Sequence, residues 1–132
     1  MARLLIVHHT PSPSMHTMFE TVRDGASTDE IDGVEVVTRA ALQATAADAL
    51  DADGYILGSP ANLGYMSGAL KHFFDTSYYP CLEETQKRPY GVYLHGNNDT
   101  DGALQAIDAP SSQQASRSCW ELGASIAAGL AM

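Results

Sequence analysis

The aliphatic run Leu4–Val7 constrains this chain more than any other feature. Four apolar residues in succession, with no polar alternation, fit a strand covered on both faces, as in a parallel sheet. Directly after it, Met15, Met18, Phe19 and Val22 recur at i, i+3, i+4 and i+7. That spacing predicts one apolar face of a helix running to about Gly25. The alternation then continues. "VEVVTR" (34–39), rich in β-branched residues, predicts a second strand. "TAADALDAD" (45–53) predicts a short helix with Thr45 as N-cap. "GYILGS" predicts the third strand. Met66, Ala69, Leu70, Phe73 and Phe74 predict a third helix starting at Met66 or Ser67. "YGVYLHG" (90–96) predicts the fourth strand, with helices expected over Asp101–Asp108 and from about Ser112 to Leu130. Tyr78, Tyr79 and Pro80 read as following the third helix, in a segment that could be core, interface or lid.

Strands alternating with helices imply βαβ units, right-handed crossovers and a doubly wound parallel sheet. The 132 residues read as one domain, 1–132, long enough to bury a core without metal or disulfide staples. No run after Leu94 reads as a fifth strand. Either the sheet has four strands, or a segment is missing from the chain.

The formal net charge of −9 argues against nucleic acid, whose phosphates need a basic face, and disfavours an anionic membrane surface. No stretch approaches the roughly 20 apolar residues of a membrane span. The apolar run in "MARLLIVHHT" is too short for a signal-peptide core. Cys81 and Cys119, with no C-x-x-C, fit reduced thiols. The expectation is a soluble cytoplasmic protein with neither nucleic acid nor membrane as partner.

Ligands of a doubly wound sheet bind beyond the carboxyl ends of the strands, where strand order reverses. Three loops occupy that position. "HTPSPSMHT" (9–17) offers the hydroxyls of Thr10, Ser12, Ser14 and Thr17 beside a helix N-terminus, a combination suited to a phosphate monoester. It reads equally as a Ser/Pro turn with Ser14 as N-cap. Neither G-x-G-x-x-G nor G-x-x-x-x-G-K-[ST] occurs, so the dinucleotide and P-loop readings fall away. The second loop lies in "GSPANLGYMSGALKHFFD" (58–75). It puts Pro60, Ala61, Leu63, Tyr65 and Met66 where water would be expected, with Gly58, Gly64 and Gly68 for sharp turns or close approach. Such walls suit a flat, largely apolar cofactor ring, or a loop folded onto the core. The third, "HGNNDTDG" (95–102), could address a ring edge or form a solvated turn. His8 and His9, adjacent at a strand end, point to opposite faces. No set of three convergent metal ligands is expected, and His16 and His95 read as structural ahead of functional.

The second loop resembles the flavin-binding loop and helix of the flavodoxin-like family, above all the NAD(P)H-dependent FMN reductases and quinone-reductase flavodoxins. Their pattern is G-[ST]-P-x-Y-x-x-x-[MP]-[SP]-[AG]-x-L-K-x-F-x-D. Gly58, Ser59, Pro60, Met66, Ser67, Gly68, Leu70, Lys71, Phe73 or Phe74, and Asp75 match it. The resemblance covers about residues 3–108. It implies an α/β flavodoxin-like sheet of order 2-1-3-4-5, although the fifth strand is not recognisable. It also implies FMN. Thr10, Ser12, Ser14, Met15, His16 and Thr17 would hold the phosphate. Pro60, Ala61, Asn62, Leu63, Gly64 and Met66 would line the isoalloxazine, and Gly96, Asn97 and Asn98 would take the third side. Asn62 stands where the family usually has an aromatic, so stacking falls to Tyr65 or another chain, or is absent. The implied activity is hydride or electron transfer from NAD(P)H through FMN to a quinone, a flavin or another small acceptor. The alternatives are an electron carrier serving a redox protein, or a relative that has lost FMN. Reductases of this type often dimerise, which leaves a homodimer open.

Overall fold

Leu4, Leu5, Ile6 and Val7 are at most 1% exposed. The reason is topological: their strand lies inside the sheet, with helices over both faces. A computed structural model of the chain describes residues 2–28, 33–60, 66–81 and 88–95. In chain order these form β1 (Ala2–His8), α1 (Pro13–Ala26), β2 (Val34–Ala40), α2 (Ala46–Asp51), β3 (Gly54–Pro60), α3 (Gly68–Cys81) and β4 (Tyr90–His95). The strands are parallel in the order β2-β1-β3-β4. This matches the first four positions of the expected order. The expected fifth strand and the helices over 101–108 and 112–130 lie outside the described residues.

Successive residues of β1 feed two cores, as the pleat requires. Leu4 and Ile6 pack with Met15, Phe19 and Val22 of α1, joined by Ile56 and Tyr93. Leu5 and Val7 pack on the other face with Leu57, Met66, Leu70 and Phe73. Each such side chain contributes about 1.5–3 kcal/mol when fully buried. Among the described helices none is long and apolar enough to cross a membrane.

Local chemistry fixes the helix ends. Ser12, not Ser14, caps α1: its Oγ accepts the Met15 N–H at 3.3 Å, and Pro13 takes N1, where its missing N–H costs nothing. Thr45 caps α2 in a reciprocal box, with Asp48 Oδ2 accepting the Thr45 N–H at 3.0 Å. Helix α3 starts at Gly68, just after the expected Met66 or Ser67, because Ser67 serves as its cap: Ser67 Oγ accepts the Leu70 N–H at 3.2 Å. It also runs on to Cys81, through Tyr78, Tyr79 and Pro80, which the sequence placed beyond it.

The amino ends of the strands are tied down by Arg88. Its Nη1, with two hydrogens to give, lies 2.9 Å from the Leu50 carbonyl, 2.6 Å from the Ala52 carbonyl and 3.2 Å from Tyr55 Oη. A cation thus satisfies the carbonyls at the C-terminus of α2, where the helix dipole favours positive charge. This leaves the opposite, carboxyl edge of the sheet free for a site.

Candidate functional site

Strand order reverses between β1 and β3, whose carboxyl ends lie side by side with His8 opposite Gly58. The ladder extends one residue further, as the His9 N–H donates to the Gly58 carbonyl at 3.0 Å. Across β3, Pro60 stands opposite His95. The segments leaving β1, β3 and β4 therefore start next to one another along a single edge. That arrangement makes one site from three distant stretches of sequence.

At the β1 exit, Thr10, Ser12 and Ser14 gather at the N-terminus of α1. Thr10 Oγ1 lies 2.7 Å from His8 Nδ1, and the His8 ring stacks on Phe19 with centroids 4.0 Å apart. Burial holds the His8 imidazole below its ordinary value of 6.5, with His9 and Arg23 acting in the same direction. Ser12 is half-buried at the cap, and Ser14 is exposed. The remaining predicted phosphate residues are placed differently. The Met15 side chain is fully buried in the core, and its N–H is taken by Ser12. Thr17 donates its hydroxyl to the Pro13 carbonyl at 3.1 Å, one turn back. His16 Nε2 lies 2.9 Å from Glu20 Oε1 on the exposed side of the helix. Thr10 is thus bonded to His8 and Ser12 to the Met15 N–H, while His16 and Thr17 turn to partners within α1.

At the β3 exit, a buried polar clasp joins the two ends of the second loop. Ser59 and Ser67 are both 0% exposed. Ser59 Oγ accepts the Ser67 N–H at 2.9 Å and donates to the Pro60 carbonyl at 2.8 Å. The chain therefore leaves β3 and re-enters α3 at points one hydrogen bond apart. Met66 is anchored just inside the return, 5% exposed among Leu70 and Phe73. Pro60 is half-buried at the strand end. Ala61, Asn62, Leu63, Gly64 and Tyr65 lie outside the described residues, as do Gly96, Asn97 and Asn98 of the third loop.

Two glycines of the motif separate in meaning. A Cβ on Gly58 would collide with the ring of Tyr93 from β4. Its role is to admit that ring into the core, which corrects the expectation of a turn or an approach to ligand. A Cβ on Gly68 would meet nothing among the described residues. Lys71 and Asp75 of the motif pair with each other on the exposed face of α3, 2.8 Å apart.

One polar atom at this edge has no partner: His9 Nδ1 is buried and unbonded among the described residues. It sits at the β1 exit, beside Gly58 of β3. No periodicity or motif marks it. Ser59 and Ser67 were legible only as letters of a pattern, and their contact joins residues eight apart through a loop.

A parallel sheet of order β2-β1-β3-β4, with helices over both faces, defines an α/β protein of the doubly wound class. Comparisons narrow that class. No family model matches the chain. A flavodoxin of Aquifex aeolicus is 37% identical over 75 residues, covering 57% of this chain and 40% of the relative. The match thus spans well under half of that relative's length. Among solved structures, the flavodoxin WrbA-like protein of Agrobacterium tumefaciens has a TM-score of 0.70 at 23% identity, covering 99% of this chain and 96% of that one. The two-electron reduced flavodoxin of Megasphaera elsdenii has a TM-score of 0.74 at 17% identity, covering 94% and 98%. The fold is flavodoxin-like, and sequence and structural likeness together support the flavodoxin-like family.

Proposed function

We propose that the chain is an FMN-binding redox protein that takes electrons from NAD(P)H and passes them to a quinone, a flavin or another small acceptor. The observation that carries the flavin reading is the carboxyl edge itself. Its three exits are adjacent, with hydroxyl donors at the first and an apolar, clasped return at the second. The donor set fits a phosphate monoester in a chain of net charge −9, because it relies on hydroxyls and a helix end instead of cations.

Thr10, Ser12 and Ser14 would hold the phosphate. Pro60 and Met66, with Ala61, Asn62, Leu63 and Gly64 between them, would wall the ring, and Gly96, Asn97 and Asn98 would take its far side. FMN, when bound, supplies the hydride and electron transfer. The protein contributes binding, orientation and exclusion of water. His8 supports the phosphate side by holding Thr10, and Ser59 supports the ring side by holding both ends of its loop.

A second reading, an electron carrier without substrate turnover, is favoured by the likeness to the Aquifex aeolicus flavodoxin and by the acidic charge, which suits docking to a basic redox protein. Titration of the purified protein with FMN tests the premise common to both: uptake at micromolar concentration is expected, and no uptake overturns both. Stopped-flow mixing of the loaded protein with NADH or NADPH then separates them. Rapid bleaching supports the reductase. Bleaching only when a reductase protein is added supports the carrier.

A further inference from the structure

We propose that His9 is a flavin-binding residue that gives a hydrogen bond from Nδ1 to the ribityl or ring portion of the cofactor, not to its phosphate. The inference rests on the flavin reading above and adds a contact to it.

The first observation is the orphaned nitrogen. His9 Nδ1 is buried and bonds nothing among the described residues, whereas its neighbour His8 engages both Thr10 and Phe19. A buried polar atom left unpaired typically costs about 1–3 kcal/mol, so nearly all such atoms find partners. Ser77 Oγ is also unbonded among the described residues, but His9 Nδ1 stands at the reversal point of the sheet, where a ligand would supply the missing partner.

The second observation is the face. Residues of β1 alternate: Leu4 and Ile6 lie under α1, and His8 stacks on Phe19 of α1. Leu5 and Val7 lie with Met66 and Leu70. The His9 N–H continues the ladder to Gly58, so His9 belongs to the second set. That is the side on which the clasped loop returns at Ser67. Thr10, Ser12 and Ser14 serve the α1 side, leaving the ring side as the place for His9.

The test exploits opposite signs. In His9→Leu and His9→Phe the orphan is replaced by apolar atoms, so the cofactor-free protein should unfold at a higher urea concentration than wild type. The same variants should bind FMN and riboflavin about tenfold more weakly, with the ratio of the two affinities unchanged. His9→Asn, which keeps a polar nitrogen on a short side chain, should recover part of the affinity. Should both apolar variants fail to fold, long-range proton–nitrogen spectra of the unmodified protein carry the same test. A shift of the His9 Nδ1 resonance on adding riboflavin supports the contact, and an unchanged resonance overturns it.

Unchanged riboflavin affinity in a folded His9→Leu overturns the proposal. So does a loss confined to FMN, which would assign His9 to the phosphate. A destabilised cofactor-free variant overturns it too, because the nitrogen would then have had a partner. These outcomes all require a wild-type protein that binds flavin. If wild type binds neither flavin, the flavin reading itself fails and takes the proposal with it.

Discussion

Position 58 is a glycine because the Tyr93 ring lies in the space a Cβ would fill. Read as one letter of a cofactor motif, Gly58 suggested room for a ligand. Its neighbour in space is 35 residues away in sequence, and no local pattern announces it. Gly58→Ala should therefore destabilise the fold by about 1–3 kcal/mol, the usual range for overpacking a filled core. A urea-unfolding double-mutant cycle with Tyr93→Ala should show the two changes strongly non-additive, because the second removes the obstacle to the first. His8 bears on pH. Its folded value lies below 6.5, so the unfolded chain binds more protons as the pH drops through 6.5. Stability should be insensitive to this group above that pH and should fall on acidification below it. The drop in urea midpoint between pH 7 and pH 5 should be smaller in His8→Gln than in wild type.

At the scale of the element, strands were the most legible part. The runs at 4–7, 54–59 and 90–96 needed only composition, because strands buried in a parallel sheet carry little polar alternation, and 34–39, on the sheet edge, was legible from its β-branched residues. Helix α3 was read short because its apolar spacing was followed only as far as Phe74, yet it runs on to Cys81. Ser12 could have been chosen over Ser14 from the proline that follows it, which marks N1. Arg88 could not have been found: its carbonyl partners lie 36 to 39 residues earlier, where α2 ends and the chain enters β3. Removing it leaves those carbonyls without their donor. Arg88→Ala should cost about 2–3 kcal/mol in chemical denaturation, in the range for hydrogen bonds to a charged group. FMN affinity should stay at the wild-type level, since Arg88 ties the amino ends of strands whose carboxyl ends form the site. A large loss of affinity in a folded Arg88→Ala would contradict that division. Of the candidate site, the hydroxyl residues were legible as types, but not the bonds that Thr10, Ser12 and Thr17 make.

On the scale of the whole molecule, net charge decides how a partner is met. With a formal charge of −9, an electron-transfer partner presenting a basic face is attracted over a Debye length, about 10 Å at 0.1 M salt. If the protein works as a carrier, its second-order reduction rate by such a reductase should fall steeply between low and high ionic strength. If NAD(P)H is the direct donor, itself an anion, raising salt should instead leave the rate level or increase it. Stopped-flow traces at several salt concentrations read this directly.

The position of β1 between β2 and β3 has a consequence for how the chain is made. Of the four strands it leaves the ribosome first, yet both its edges wait for partners that arrive later, at Val34 and at Gly54. Until β2 has been synthesised Leu4–Val7 is an apolar segment with two open edges, and until β3 follows it keeps one of them open. Parallel pairing of this kind is slow, because long loops must close before any contact repays them. Production of the protein should therefore be limited by what happens to a nascent β1, and slower synthesis at lower temperature should raise the soluble yield more than any change to the finished fold.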